Sequence, residues 1–164
     1  MNRQTTPTPG TSMPQPGSEY LTFKLGKEEY GIDILQVQEI RSWEEPTQLV
    51  STPAFVKGVM NLRDVIVPII DLRIRFGLPA DAYDTSTVVI VLNTASRVVG
   101  LVVDGVSDVT RLGADRMRPV PGAAAAADAD CLLAIGQIGE RTLILLDTEK
   151  LIPSLGFGGS DMVQ

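Results

Sequence analysis

A chain of 164 residues accommodates one domain with an appendage, and not a second full-sized domain. Its apolar and charged fractions, 44% and 21%, are those of a globular protein, while 5% aromatics leave the core to Val, Ile, Leu and Ala. Fourteen Lys and Arg against twenty Asp and Glu, a net charge of -6 without a basic cluster, provide no footprint for nucleic acid.

Residues 1–18 are rich in Thr, Pro, Gly and Ser, carry no apolar periodicity, and read as a disordered tail. The fold begins at Glu19. Residues 20–25 and 28–32 flank Gly26-Lys27 as a β-hairpin, and residues 33–41 combine helical spacing (Ile34, Val37, Ile40) with strand alternation, which predicts a short helical turn leading into a strand. Trp43 and Pro46 close this unit. Ser51 or Thr52 followed by Pro53 predicts a capped helical turn over 51–56.

In residues 58–73 two apolar runs meet at the charged pair Arg63-Asp64, and the run after Asp64 is rich in β-branched residues. The pattern is strand, tight turn, strand, whose tip serves either as a solubilising turn or as a contact. Asp71 is placed to cap a short helix over 72–76 that ends at Gly77 and Pro79. Residues 80–86 read as a polar surface loop.

The second half repeats the idiom: a strand over 87–92, a turn over 93–97, a strand over 98–103, an Asp104-Gly105 hairpin turn, and a strand over 106–111. A helical turn over 113–118 and an alanine-rich connector over 121–127 follow. Two further strands, 131–138 and 141–146, surround Gly139-Glu140. Residues 147–152 read as a terminal helical turn, and those after 155 as a flexible tail. Nine or ten short strands with little helix make an all-β barrel or sandwich spanning 19–155.

No histidine is present, so the usual neutral-pH base and the commonest metal ligand are missing, and chemistry would run on carboxylates, Lys, Tyr or Cys131. Asp71, Asp104 and Asp147 stand at strand ends, where capping and turn roles account for them. Cys131 has no base to activate it and reads as a buried thiol. Gly31, Gly136 and Gly139 lack a following Lys-Ser/Thr pair and read as bulge or turn glycines. A single cysteine and a polar start predict a cytoplasmic protein, and the longest apolar run is too short to span a bilayer. Glu39, Arg63 and Asp108 interrupt apolar strands, either on a solvated face or on a docking surface whose apolar area gives affinity and whose charges give register.

Five ordered motifs carry a resemblance: 20–23 with 29–34, Val37-Gln38-Glu39-Ile40-Arg41, 53–63, 66–73, and 99–109. Together they resemble CheW, the family of chemotaxis coupling proteins, from about residue 20 to residue 152. The resemblance implies two intertwined five-stranded SH3-like β-barrels, no catalysis and no cofactor. It further implies an adaptor that joins the cytoplasmic tips of transmembrane chemoreceptors to the regulatory domain of the histidine kinase CheA. Such a protein is a monomer alone, enters rings with CheA in receptor arrays, and meets the membrane only through receptors, at its inner face.

The family's receptor-binding groove corresponds to Val37, Glu39, Gly58 and Arg63, with Val88 and Val109. Val37 would supply apolar contact, Gly58 a close backbone approach, and Glu39 and Arg63 charged hydrogen bonds. Pairing with CheA would use exposed apolar strand edges and barrel ends. The chain departs from the family at Asp64, where glycine is usual; Asp64 would strain a turn that needs positive φ and could pair with Arg63. Two rival readings are a coupling protein of a non-flagellar pathway, and a small hydrolase or ligand-binding barrel built on Asp71, Asp104 or Asp147.

Overall fold

The computed structural model describes residues 18–78, 83–94, 97–120 and 131–151. The expected tails and the alanine-rich connector lie outside these, apart from Ser18, which opens the first strand. Eleven strands form among the described residues: β1 Ser18–Leu25, β2 Glu28–Asp33, β3 Val37–Ser42, β4 Val56–Leu62, β5 Val65–Asp71, β6 Val88–Asn93, β7 Val98–Val103, β8 Gly105–Leu112, β9 Met117–Arg118, β10 Leu132–Ile138 and β11 Arg141–Leu146. Two one-turn helices join them, α1 Leu72–Arg75 and α2 Thr148–Leu151. Single 3₁₀ turns occupy Ile34–Gln36 and Ala114–Arg116, where the sequence predicted helical turns.

The chain is threaded through two SH3-like barrels. The first takes both ends of the domain, with strand order β8-β1-β2-β11-β10-β9; the second takes the middle, with order β3-β6-β7-β5-β4. Each contains one parallel pairing among antiparallel ones, β2 with β11 and β5 with β7, because the returning strand adds to an existing edge instead of folding back through a hairpin. The backbone of Thr47 closes the second barrel by exchanging hydrogen bonds with Val59 of β4, at 2.9 and 2.8 Å.

Both faces of many strands are buried, which is why the apolar runs show little polar alternation. In β6, Val89 and Val91 point into the second barrel, while Ile90 and Leu92 face a larger cluster shared between the barrels. In β11, Leu143 and Leu145 fill the first barrel, while Leu146 joins the shared cluster with Leu21, Phe23 and Leu25 of β1. The shared core therefore lies between the barrels. Cys131 is buried in it, as its apolar sequence surroundings predicted.

Two local expectations are corrected. Residues 51–56 form no helix: Ser51 adopts a left-handed φ of 61°, and the turn closes with the Val56 N–H on the Pro53 carbonyl at 3.0 Å. The chain must deliver β4 alongside Thr47, and this requirement overrides the local capping signal. Asp104-Gly105 is not a hairpin, because β7 remains in the second barrel while β8 pairs with β1 in the first. Asp-Gly is a local signal, and pairing with β1 outweighs it. In the expected polar loop, Tyr83 is half-buried and stacks on Trp43, with ring centroids 4.0 Å apart.

Candidate functional site

The tip of the β4–β5 hairpin is a two-residue turn. Leu62 pairs with Val65, and Arg63 and Asp64 between them take φ of 52° and 70°. Positive φ at both central residues marks the type I′ geometry whose twist matches a hairpin, a conformation that favours Asn and Gly. Asn61 supports it, its Oδ1 accepting the Asp64 N–H at 2.9 Å. Asp64→Gly is expected to raise the melting temperature by relieving up to ~1 kcal/mol of backbone strain, part of the gain being offset by the freer unfolded chain. Differential scanning calorimetry checks this, and an unchanged or lower midpoint would contradict it.

The turn aims Arg63 across the seam of the barrel. Its guanidinium donates two near-parallel hydrogen bonds to Glu39 of β3, Nη1 to Oε2 at 2.9 Å and Nη2 to Oε1 at 3.3 Å. Strands β3 and β4 are the two ends of the sheet order, so this fork bridges the line along which the barrel closes. Asp64 does not take Arg63 as its partner, because the fork geometry of Glu39 engages both terminal nitrogens of the guanidinium. Arg41 approaches the same carboxylate at 3.6 Å, two residues along and on the same strand face. The hydrogen bond from Arg63 is the largest cause holding the Glu39 carboxyl below its ordinary value, and the Arg63 pKa is raised in return.

Gly58 lies on the same seam and its place is fixed by geometry. At φ of 143°, an added Cβ would stand 2.1 Å from the Thr47 carbonyl oxygen. The backbone that approaches this glycine is therefore the protein's own. Val37 starts β3 and packs against the shared core, as does Val88 of β6. Val37 pairs with Leu92 and Val88 with Ser42, so they occupy opposite ends of one ladder. Val109 belongs to β8 of the first barrel, opposite Leu21, and is half-exposed. Of the residues singled out in the sequence, the structure joins Glu39 and Arg63 directly and sets Gly58 on their seam, whereas Val88 and Val109 lie apart from the fork by ladder position and by barrel. Val65 and Ile66, just past the tip, expose about half of their surface and add apolar area that the sequence reading had not singled out.

The three carboxylates weighed for catalysis are engaged in structural bonds. Asp71 is fully buried; it caps α1 through the Arg73 N–H and also accepts from Arg73 Nε, Arg73 Nη2 and the Tyr83 hydroxyl at 2.6–3.1 Å. Asp104 accepts from Arg73 Nη1 and the Gly26 N–H. Asp147 caps α2 through the Glu149 N–H at 3.0 Å. The Arg73 pKa is raised, with the Asp71 hydrogen bond as the largest cause, and Tyr83 is pushed up to about 12, chiefly by burial and then by Asp71. This network was missed in the sequence because the Asp71-Leu72-Arg73 spacing signals only a cap. On the first barrel, Asp108 accepts the Thr22 hydroxyl at 2.5 Å and meets Arg141 at 3.4 Å, and Arg141 forks onto Glu29. These bonds, the Thr22 bond first, hold the Asp108 carboxyl below its ordinary value.

The second barrel thus presents a charged fork beside exposed aliphatic side chains, with the described carboxylates that could do chemistry tied up in structural bonds. The family model of the CheW-like domain matches residues 19–156. The chain is 57% identical to chemotaxis protein CheW of Klebsiella aerogenes over 138 residues, covering 84% of this chain and 83% of that protein. It is 35% identical to chemotaxis protein CheW of Rhizobium meliloti, covering 84% and 89%. The crystal structure of scaffolding protein TtCheW from Thermoanaerobacter tengcongensis matches with a TM-score of 0.74 at 28% identity, covering 79% of this chain and 88% of that one. The chain belongs to the CheW-like family and is a chemotaxis adaptor.

Proposed function

We propose that this adaptor couples the cytoplasmic tips of chemoreceptors to the regulatory domain of CheA, and that the seam of the second barrel is the receptor face. The Glu39–Arg63 fork is the observation that carries the assignment. Its charged atoms sit at the surface, the Arg63 side chain being 69% exposed, beside Val65 and Ile66. A receptor helix laid on this face would gain apolar contact and could exchange hydrogen bonds with the fork, which sets register. Val37 lines the same strand. Gly58 contributes by keeping the seam closed, while Val88, packed against the shared core, and Val109, on the first barrel, are outlying contacts beyond this face. The kinase is assigned to apolar strand edges and barrel ends elsewhere on the two barrels.

The mechanism is a coupling free energy between two binding surfaces on one body, without a catalytic step or a cofactor. No helix among the described residues is long and apolar enough to cross a membrane. The adaptor reading itself assigns the protein to the cytoplasm, recruited to the inner face of the membrane by receptors, monomeric alone and built into rings with CheA in arrays. Arg63→Ala is expected to reduce capture by immobilised receptor-tip fragments while leaving the melting temperature and CheA binding unchanged. Capture at the wild-type level would remove the assignment.

A further inference from the structure

We propose that Asp104 is a positioning residue that fixes the angle between the two barrels, because each oxygen of its one carboxylate is bonded to a different barrel. Strand β7 ends at Val103 in the second barrel and β8 begins at Gly105 in the first, so Asp104 is the single residue at the crossover. Its Oδ1 accepts from Arg73 Nη1 of α1 at 3.0 Å, on the side of the second barrel. Its Oδ2 accepts from the Gly26 N–H at 2.7 Å, in the β1–β2 turn of the first. Its own N–H donates to the Lys24 carbonyl, near the end of β1, at 3.0 Å.

Arg73 is itself immobilised, with a side chain only 6% exposed, held by Asp71 on two nitrogens and lying against the Tyr83 ring 4.8 Å from its centroid. A continuous path of directional bonds thus runs from the end of β5, through Arg73 and Asp104, into the first hairpin. The shared core also joins the barrels, but apolar contact is non-directional and permits small rotations that keep its area buried. A hydrogen bond weakens steeply as its angle departs from linearity, so the carboxylate resists those rotations. At the other crossover, Ile34–Gln36, the Thr148 hydroxyl donates to the Gln36 side-chain carbonyl, a neutral clasp on α2.

Both partners of the Asp104 carboxylate are donors. An asparagine at 104 offers one acceptor oxygen and one NH2 group, so it can serve one barrel and not both. The consequence for binding rests on the receptor reading above: Val109 belongs to the first barrel and the fork to the second, and the strut holds them at a set separation.

The test measures that separation directly. In a Cys131→Ala background, spin labels are placed at Glu140, in the exposed β10–β11 turn, and at Thr85, in the exposed turn before β6. Double electron–electron resonance on the otherwise intact chain is expected to show one narrow distance. Asp104→Asn, and independently Arg73→Lys, is expected to broaden or shift that distance while amide exchange within each barrel remains protected. A loss of fold stability alone would not move it. Distance distributions superimposing on the parent in both variants would overturn the proposal, as would collapse of protection in both, since Asp104 would then maintain the fold and not the angle. Receptor-tip binding to Asp104→Asn is read separately. A shifted distance with unchanged binding would keep the strut and count against receptor contacts spanning both barrels.

Discussion

Gly58→Ala is expected to destabilise the protein by about 3–5 kcal/mol, read as a lowered urea midpoint, because two penalties of ~1–3 kcal/mol each add at this position. The first is conformational, since a φ of 143° is one that L side chains rarely adopt. The second is steric: the new Cβ would stand 2.1 Å from the oxygen and 2.7 Å from the carbon of the Thr47 carbonyl. Those atoms are backbone and cannot turn aside as a side chain would. Moving them would break the two hydrogen bonds that close the barrel between Thr47 and Val59. A loss of less than about 1 kcal/mol, the ordinary effect of a point substitution, would show that the seam is not rigid.

Arg73→Met is expected to cost about 3–5 kcal/mol by the same measurement, the usual consequence of breaking a buried ion pair from one side. It strands the Asp71 carboxylate, which has no exposed surface, with only the Tyr83 hydroxyl and backbone as donors. It also removes the bond to Asp104. Arg63→Ala breaks a fork of similar geometry, yet its partners face water and are screened by it, so stability is expected to hold. The contrast between these two arginines is itself a check. An equal loss in both would mean that burial does not decide the outcome.

Much of the architecture was legible in residue order. Partial alternation around Gly26-Lys27 and apolar runs around Gly139-Glu140 marked two hairpins that the structure contains. The Asp71 cap with the α1 turn and the helical turn leading into β3 were also readable, because such signals are local. What resisted reading was pairing between distant segments. Asp104-Gly105 has the composition of a hairpin turn, and nothing within ten residues of it reveals that β1 awaits β8 on the other barrel. The Ser51–Pro53 signal failed for a related reason, the course of the backbone there being dictated by closure at Val59.

At the candidate site, Arg63-Asp64 was visible as a charged interruption between two apolar strands. The positive φ at Arg63 was not, since Arg does not advertise the left-handed region as Gly or Asn would, and at Asp64 only the family's usual glycine pointed to it. The Glu39–Arg63 fork joins residues 24 apart and exists only because the sheet curls to bring its first and last strands together. The resemblance to CheW, carried by the five motifs, supplied the function. Periodicity alone left the hairpin tip between a solubilising turn and a contact.

Whether one body holds receptor and kinase on separate surfaces is decided by a three-component capture. A receptor-tip fragment is immobilised, and the purified CheA regulatory domain is added with wild-type protein, with Arg63→Ala, or alone. Retention of the CheA domain is expected only when wild-type protein is present, with loss of both from the receptor with Arg63→Ala, although that variant still binds the CheA domain in solution. Retention of the CheA domain by Arg63→Ala at the wild-type level, or failure of wild-type protein to bridge the two, would contradict that expectation.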